Sequence, residues 1–293
     1  MSARVSKEAP AATRTAVLFT HSHPPGTDAA VQTAARVADR ASFALIAEAD
    51  ELAKHGDAAA GVSAVEALPE QPDFCLVLGG DGTILRALRT YAGTEVPVFG
   101  INFGTIGFLA AVEGSELEAG LERAFGGDYE VMSLPALEAP DVAPNPMALN
   151  DVSFTRRPHS RVAELSYRLG GQEVGHVRCD GLVAATPQGS TGYNLANQGP
   201  ILAWGVEGYV VSFVAPHTLT ARPLVAAPAD VLHVRNEGGR DPVDVALDGA
   251  PVGELGSGEE IEVRFRDGIG RLAQLQGSSF YRRIREKFGR LAH

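Results

Sequence analysis

The pentapeptide GGDGT at residues 79–83 directly follows the apolar run FCLVL at residues 74–78. A short apolar run that ends in two glycines, and is followed by helix-forming residues, predicts a buried strand that turns sharply into a helix. Because glycine has no Cβ, the backbone of such a turn can approach a ligand closely, and its amides suit an anion such as phosphate. The feature therefore predicts an α/β domain whose glycine turn binds phosphate groups.

Asp81 is the unexpected member of this turn, because a carboxylate beside a bound phosphate is electrostatically unfavourable. The simplest chemical reason for it is that it accepts a proton from a hydroxyl group, which predicts phosphoryl transfer to an alcohol. No lysine lies between residues 55 and 286, so a P-loop lysine is excluded there, and phosphates must be held by backbone amides, arginines or a metal. The candidate phosphate-binding residues at this turn are Gly79, Gly80, Gly82, Thr83 and Arg86.

The length, charge and cysteine content of the chain exclude several classes of protein. A chain of 293 residues favours two domains, and a formal net charge of −11 argues against binding to nucleic acid or an anionic membrane. No apolar stretch approaches the length of a membrane span, and the N-terminus lacks the apolar core of a signal peptide. Cys75 and Cys179 are far apart, which favours two buried thiols in a reducing cytoplasm over a disulfide or a metal site.

The first part of the chain, residues 1–126, alternates strand-like and helix-like segments and predicts a doubly wound parallel sheet. The predicted strands are 16–20, 42–48, 74–78 and 96–101. Asp28 is expected to cap a helix that runs to Ala41, and a capping box at Ser115 is expected to begin a helix that ends near Phe125.

Residues 127–275 show short β-branched runs separated by turns, which predict a largely antiparallel β-sandwich. Gly170-Gly171 separates two such runs and predicts a hairpin, while 209–215, 231–235, 243–247 and 261–265 continue the pattern. Asp248-Gly249 and Asp267-Gly268 are predicted turns. Residues 276–293 predict a C-terminal helix that packs on the N-terminal domain through the apolar positions Phe280, Ile284, Phe288 and Leu291.

Three further segments contain candidate functional residues. A glycine-rich segment at 100–109 follows the next parallel strand and would open beside the first glycine turn, although taken alone it is more often a tight turn. LND at 149–151 is a generic turn when taken alone. DGLVAATPQGSTGYN at 180–194 combines a strand with a hydroxyl-rich loop, which favours contacts to a sugar or base over a structural turn.

The sequence alone does not assign a role to three of the histidines or to Arg222. His217 favours a structural imidazole, and Arg222 could contact phosphate or lock two domains together. His21 and His23 have a spacing that could suit a metal, but a solvated loop is the favoured interpretation because no cysteine or carboxylate lies nearby.

In its sequence of motifs, from about residue 16 to 291, the chain resembles the NAD kinase family. The resemblance is carried by GGDGT at 79–83, GINFGTIGFL at 100–109, LND at 149–151, DGLVAATPQGSTGYN at 180–194, PHTLTARPLV at 216–225 and DG at 248–249. GGDGT alone also resembles loops of 6-phosphofructokinases and of diacylglycerol or sphingosine kinases, whereas the later motifs are specific.

The resemblance implies an α/β domain followed by a β-sandwich, in a homodimer or homotetramer where a neighbouring subunit completes part of the dinucleotide site. It implies NAD and ATP as substrates, with polyphosphate as a possible donor and Mg²⁺ as the divalent metal that accompanies ATP. Asp81 would be the catalytic carboxylate, and the glycine loop would hold the donor's phosphates. The implied dinucleotide contacts are Asn150, Asp151, Arg178, Asp180, Thr191, Gly192, Tyr193 and Asn194.

The chain departs from the family pattern at four places. Asp151 replaces the usual glutamate, which puts its direct contact with ribose in doubt, and Gly192 stands where alanine is usual. Gln188 replaces a common hydroxyl residue, and Thr105-Ile106 replaces a basic or polar residue followed by leucine. We interpret these changes as tuning affinity or donor choice.

Two alternative functions fit part of the pattern. A lipid or sugar kinase would share the glycine loop, but the acidic composition weighs against a lipid substrate. A dinucleotide sensor without catalytic activity would keep the fold but has no need of Asp81, which is present.

Overall fold

The computed structural model describes residues 14–21, 26–104, 107–140, 142–239 and 241–289. Their contacts divide them into two compact units, each with its own hydrophobic core. The first unit contains residues up to 87, 96–130 and 273–276; the second contains 88–95, 131–272 and the residues from 277 onward. In the described part of the chain, no helix is long and apolar enough to cross a bilayer.

The first unit alternates strands and helices, as its sequence predicts. Its elements are β1 (Arg14–Thr20), α1 (Asp28–Arg40), β2 (Phe43–Glu48), α2 (Ala49–Ala53), β3 (Ser63–Val65), β4 (Phe74–Gly79), α3 (Asp81–Thr90), β5 (Val98–Asn102), β6 (Val112–Glu113) and α4 (Leu117–Gly126). The last residues of α3 belong to the second unit. Short 3-10 helices cover Gly56–Ala59 and Gly114–Glu116.

The strands of this unit form a parallel sheet in the order β5-β4-β1-β2-β3, and β6 pairs with β5. Every residue of β4 is buried, which explains why its sequence is a continuous apolar run. The order of the strands reverses at β1 and β4, and ligands of such sheets bind at the carboxyl ends of the strands that flank this point. β1 ends at Thr20 and β4 at Gly79, so the glycine turn follows one of these two ends.

Two helix starts differ from the sequence predictions. α1 begins at Asp28 itself, and no described side chain caps it. The Asp28 carboxylate instead lies 2.6 Å from Nδ1 of His55, a partner that local sequence does not reveal. The predicted capping box at Ser115 does not form among the described residues, because a 3-10 turn over Gly114–Glu116 precedes α4.

The second unit is mostly strand. Its elements are β7 (Glu130–Glu138), β8 (Met147–Ala148), β9 (Asp151–Arg156), β10 (Ala163–Leu169), β11 (Gln172–Cys179), β12 (Gly181–Ala185), α5 (Tyr193–Ala196), β13 (Tyr209–Val214), β14 (Leu224–Ala226), β15 (Leu232–Asn236), β16 (Val243–Leu247), β17 (Ala250–Leu255), β18 (Glu260–Gln274) and α6 (Phe280–Phe288).

Two antiparallel layers make up this unit. One contains β11-β10-β15-β18, and the other has the order β14-β13-β12-β9-β16-β17. Side chains of both layers, such as Leu165, Val234, Phe154 and Leu182, join one buried cluster. The predicted combination of an α/β domain and a β-sandwich is therefore confirmed.

Two predictions about the end of the chain differ from the structure. Asp267-Gly268 is not a turn between elements, because both residues lie inside the 15-residue strand β18, where Gly268 takes a φ of 71°. Helix α6 forms at the predicted place but belongs to the second unit. The centres of the Phe280 and Trp204 rings lie 5.5 Å apart. The amphipathic pattern of residues 276–293 had predicted packing on the first domain. Leu291 lies outside the described residues.

Candidate active site

The glycine turn of the first unit joins β4 directly to α3. A Cβ on Gly79 would lie 2.6 Å from Oγ1 of Thr83, a distance that side chains do not tolerate, so this position requires glycine. The amides of Thr83 and Ile84 donate to the carbonyl of Gly80 at 2.9 and 3.1 Å and close the first turn of the helix. The predicted strand–glycine turn–helix arrangement is therefore present.

The carboxylate of Asp81 is held by two backbone amides. The amide of Phe108 donates to Oδ2 at 2.9 Å, and that of Leu109 donates to Oδ1 at 3.1 Å. Each carboxylate oxygen has about two lone-pair sites, so both can accept a further hydrogen bond. The two amides thus fix the orientation of the Asp81 carboxylate.

These bonds also bring the second glycine-rich segment to the first. The amide of Phe103 donates to the carbonyl of Gly79 at 3.1 Å, and a Cβ on Gly80 would lie 3.5 Å from Cα of Gly104. The predicted proximity of the two segments is confirmed. Thr105 and Ile106 lie outside the described residues.

A cavity of about 280 Å³ opens at the carboxyl ends of β1 and β4. It is lined by Thr20, His21, Gly80, Gly82, Thr83 and Arg86. The structure therefore brings Arg86 together with three residues of the glycine turn, as predicted. Thr20 and His21 were not predicted as site residues, and His23 lies outside the described residues.

Arg86 is anchored by Glu51, a residue that the sequence does not mark as part of a site. Nη2 of Arg86 donates to Oε2 of Glu51 at 2.9 Å and to the carbonyl of Thr20 at 3.1 Å. Glu51 is separated from Arg86 by 35 residues and lies in a short helix with no motif of its own, so no local signal marks it.

In the second unit, Asp248 holds the turn that contains Asn150 and Asp151. Its Oδ2 accepts from the amide of Leu149 at 3.0 Å, and its Oδ1 accepts from those of Asn150 and Asp151 at 2.6 and 3.1 Å. Nε of Arg89 lies 3.8 Å from Oδ2 of Asp248. The sequence indicated a turn at Asp248 but not this positioning role.

Asp151 is buried beside this carboxylate, and only 7% of its surface is exposed. Burial, with the charge of Asp248 as a second cause, raises the pKa of Asp151 to about 7. Burial also raises the pKa of Asp248, although its three amide donors and Arg89 oppose the change. At neutral pH, Asp151 can therefore donate as well as accept a hydrogen bond.

The hydroxyl-rich segment is largely engaged in bracing its own backbone. Oγ1 of Thr186 donates to the carbonyl of Leu149 at 2.7 Å, and Nε2 of Gln188 donates to the same carbonyl at 2.5 Å. Ser190 is fully buried and donates to the carbonyl of Pro187 at 2.6 Å. These polar side chains hold the Asn150 turn in place, an alternative that the sequence could not separate from ligand binding.

The side chain of Asn194, a predicted ligand contact, bonds to the backbone of its own loop. Its side chain is fully buried, and Nδ2 donates to the carbonyls of Ser190 and Pro200 at 2.9 and 3.0 Å. The neighbouring residues are more accessible: Thr191 is half-buried, Gly192 is exposed and Tyr193 is 37% exposed.

Tyr193 lies close to two of the predicted acidic residues. Burial raises the pKa of its phenol, and the charges of Asp151 and Asp180 raise it further. Asp180 forms an ion pair with Arg156, whose Nε lies 2.6 Å from Oδ1. The hydrogen bond from Arg156 lowers the pKa of Asp180 below its usual value. The charges of Asp151 and Asp180 therefore both act on Tyr193, and Arg156 contacts Asp180.

Arg178 is exposed and pairs with Glu164, with 3.2 Å between Nε and Oε1. Together with Arg156 it lines a second cavity, of about 460 Å³, within the second unit. Within the ranges that the structure describes, no three His, Cys, Asp or Glu side chains group as ligands for a metal ion.

Both parts of the chain match known proteins. Residues 22–129 match the ATP-NAD kinase N-terminal domain, and residues 149–268 match the ATP-NAD kinase C-terminal domain. A protein of Gemmatimonas aurantiaca named NAD kinase is 37% identical over 224 residues, which are 74% of this chain and 77% of that protein. One of Geobacter metallireducens with the same name is 34% identical over 227 residues, which are 76% of this chain and 80% of that protein.

Two solved structures resemble the fold. An NAD kinase from Archaeoglobus fulgidus in complex with ATP is 26% identical, with a TM-score of 0.73 over 94% of this chain and 98% of that one. Yeast NADH kinase complexed with NADH is 21% identical, with a TM-score of 0.81 over 96% of this chain and 89% of that one. Because two domain matches cover most of the sequence and relatives exceed 30% identity over about three quarters of it, the chain belongs to the NAD kinase family.

Proposed function

We propose that this protein is an NAD kinase that transfers the terminal phosphate of ATP to the 2′-hydroxyl of the adenosine ribose of NAD, giving NADP. One observation carries the proposal: Asp81 stands at the start of α3, on a glycine turn, with its carboxylate oriented by the amides of Phe108 and Leu109. Membership of the family and the shared name of its relatives support the same reaction.

The proposed mechanism gives Asp81 the role of general base. A ribose hydroxyl is too weakly acidic to ionise freely at neutral pH, so a carboxylate within hydrogen-bond reach accepts its proton as the bond to phosphorus forms. The transition state of phosphoryl transfer is loose, and catalysis depends mainly on positioning and charge neutralisation. We assign the donor's phosphates to Gly79, Gly80, Gly82, Thr83 and Arg86, which supply backbone amides, a hydroxyl and a fixed positive charge.

We assign the dinucleotide to the second unit's predicted residues. Asn150 and Asp151 would contact the adenosine part, and Arg178, Asp180, Thr191, Gly192 and Tyr193 the remainder. Support comes from the closeness of Tyr193 to Asp151 and Asp180. Asn194, because it is buried, would support the loop and would not touch the ligand.

We further propose Mg²⁺ as the cation that enters with ATP. Magnesium usually keeps several waters and binds through substrate phosphates with one or two protein oxygens. The carboxylate of Asp81 and the hydroxyl of Thr83 are oxygen donors at the glycine turn that fit this pattern. The cation would neutralise charge on the phosphate oxygens.

We also propose an oligomeric state and a cellular compartment for this protein. We propose a homodimer or homotetramer, supported by exposed apolar side chains at Leu219 (93%) and Val225 (50%) within the 216–225 motif. The buried thiols of Cys75 and Cys179 support a reducing cytoplasm as the compartment. Light scattering of the purified protein would test the assembly, and a single-subunit mass would contradict it.

The decisive experiment offers the purified protein NAD and Mg²⁺ with ATP or with polyphosphate, and measures NADP. We expect NADP in the ATP arm. NAD binding by calorimetry without any NADP from either donor would contradict the proposal and would favour a dinucleotide sensor. NADP from polyphosphate alone would correct the donor but not the acceptor.

A further inference from the structure

Glu51 is a buried carboxylate, and two of its partners, Thr20 and Arg86, line the cavity in the first unit. It belongs to α2 and is 6% exposed. An unpaired charge in such a place would cost several kcal/mol, so its partners must be specific. Those partners are Thr20, Lys54 and Arg86.

The two oxygens of this carboxylate serve different partners. Oε1 accepts from the amide and the hydroxyl of Thr20 at 2.8 and 2.5 Å, and lies 3.0 Å from Nζ of Lys54. Oε2 accepts from Nη2 of Arg86 at 2.9 Å. Burial alone would raise the pKa of Glu51, but the hydrogen bonds from Thr20 and Lys54 and the charge of Arg86 outweigh it and lower the pKa. Glu51 is therefore ionised at neutral pH.

The orientation of Arg86 follows from these contacts. Its Nη2 donates to both Glu51 and the carbonyl of Thr20, and its guanidinium carbon lies 5.1 Å from the centre of the Phe19 ring. The guanidinium is planar, so two hydrogen bonds from one nitrogen fix the plane of the whole group. That group lines the cavity beside the glycine turn.

His55 contacts the hydroxyl of Thr20 and so stabilises the position of Thr20 beside Glu51. It is 6% exposed, with Nε2 2.8 Å from Oγ1 of Thr20 and Nδ1 2.6 Å from Oδ1 of Asp28. The hydroxyl of Thr20 has one hydrogen and gives it to Glu51, so it accepts from His55. A chain of contacts therefore runs from the half-exposed Asp28 through the buried His55, Thr20 and Glu51 to the guanidinium of Arg86.

We propose that Glu51 is a positioning residue that aims Arg86 at a phosphate group of bound ATP. This inference rests on the proposed function and adds to it a residue that touches no substrate itself. A guanidinium held in one plane loses less conformational freedom when it binds a phosphate than one that must first be ordered. Loss of Glu51 should therefore weaken ATP binding and leave the chemical step nearly intact.

The test compares four proteins: wild type, Glu51→Gln, Arg86→Ala and the double variant. Glutamine keeps the size of Glu51 and an oxygen for Thr20 but turns an amide NH₂ toward Arg86. We expect Glu51→Gln to raise the KM for ATP about tenfold, with kcat and the KM for NAD changed less than about threefold. Because Glu51 acts through Arg86, the same substitution should have almost no further effect in the Arg86→Ala background.

Asp50→Asn is the matched control, because Asp50 is an exposed carboxylate in the same helix, and it should leave all three constants unchanged. If Glu51→Gln fails to fold, Glu51→Asp, which withdraws the carboxylate by one methylene, takes its place in the cycle. An unchanged KM for ATP, or an equal effect with and without Arg86, would overturn the inference. Absence of NADP formation by the wild type would instead overturn the proposed function.

Discussion

Two backbone amides fix the orientation of the Asp81 carboxylate. Phe108 and Leu109 each donate to a different oxygen of its carboxylate. An asparagine has only one acceptor oxygen, so its NH₂ group would face one of these amides and lose that bond. The residue thus contacts the second glycine-rich segment in addition to its proposed role as general base, and its substitution would affect both.

We predict that Asp81→Asn binds NAD within about threefold of the wild type but forms NADP at least a hundredfold more slowly, because the general base is lost. Calorimetry with NAD and the coupled assay for NADP measure the two quantities. Asp57→Asn, at an exposed carboxylate, controls for the change of charge. Near-normal turnover of Asp81→Asn would remove this residue from the mechanism.

Asp151 gives the stability of the protein a pH dependence of predictable sign. Its pKa in the folded state is about 7, against an ordinary value of 3.8. The folded state therefore holds the proton more tightly, and the associated stability is fully present below pH 3.8 and is lost as the pH rises to about 7.

Asp151→Asn cannot ionise, so it should escape this loss. We expect the variant to gain about 1–3 kcal/mol of unfolding free energy over the wild type at pH 8. The gain should shrink steadily toward pH 4, as measured by urea unfolding without ligand. Asp57→Asn should show no such trend, and a gain independent of pH would contradict the assignment.

The limits of sequence reasoning are visible in these residues. Asp81 and Arg86 could be identified because the glycine motif lies directly beside them. Glu51 lies 35 residues from Arg86, and Asp248 lies 97 to 99 residues from the amides that it accepts. Such partners leave no local pattern, since they meet only through the order of strands in a sheet.

At the scale of elements, apolar runs predicted strands well where both faces are buried, as in β4. Local signals for a turn and for a helix start, in contrast, were wrong at two places. Asp267-Gly268 has turn chemistry, yet β18 continues through it, because Gly268 adopts its positive φ inside the strand. The capping box at Ser115 was likewise replaced by a 3-10 turn.

Close packing between two segments predicts the effect of a single methyl group at Gly189. A Cβ there would lie 2.0 Å from the carbonyl oxygen of Asn150, a backbone atom that cannot move without shifting the turn. We expect Gly189→Ala to lose at least about 2 kcal/mol of stability and to weaken NAD binding. Thermal unfolding and calorimetry measure both effects.

The control for this variant is Gly205→Ala. Gly205 lies in the same unit, and no atom lies within 4 Å of an added Cβ. Its substitution should change stability by less than about 0.5 kcal/mol. Equal stability of the two alanine variants would show that the Gly189 turn adapts, and would contradict the argument from packing.

The whole molecule consists of two units with separate cores, and its single tryptophan, Trp204, lies in the second. Trp204 packs against Phe280, and the guanidinium of Arg283 lies 5.4 Å from the centre of its ring. Intrinsic fluorescence therefore follows the second unit and the attachment of α6 to it.

We predict that Phe280→Ala shifts the emission of Trp204 to longer wavelength and lowers stability by about 1–3 kcal/mol, since an aromatic contact and its buried area are lost. Tyr281→Ala is the matched control, because Tyr281 is the next residue of the helix and is 72% exposed. It should change stability by less than about 0.5 kcal/mol. Unchanged emission from Phe280→Ala would contradict this packing.

The carboxylate of Asp248 also imposes an order on biosynthesis. The ribosome delivers the Leu149–Asp151 amides almost a hundred residues before the side chain that receives them. Until that side chain emerges, three neighbouring N–H groups lack their acceptor, at about 1–3 kcal/mol for each that is buried. A nascent chain that stops short of residue 248 therefore lacks the group that holds the 149–151 turn, so this part of the proposed dinucleotide site is complete only late in translation.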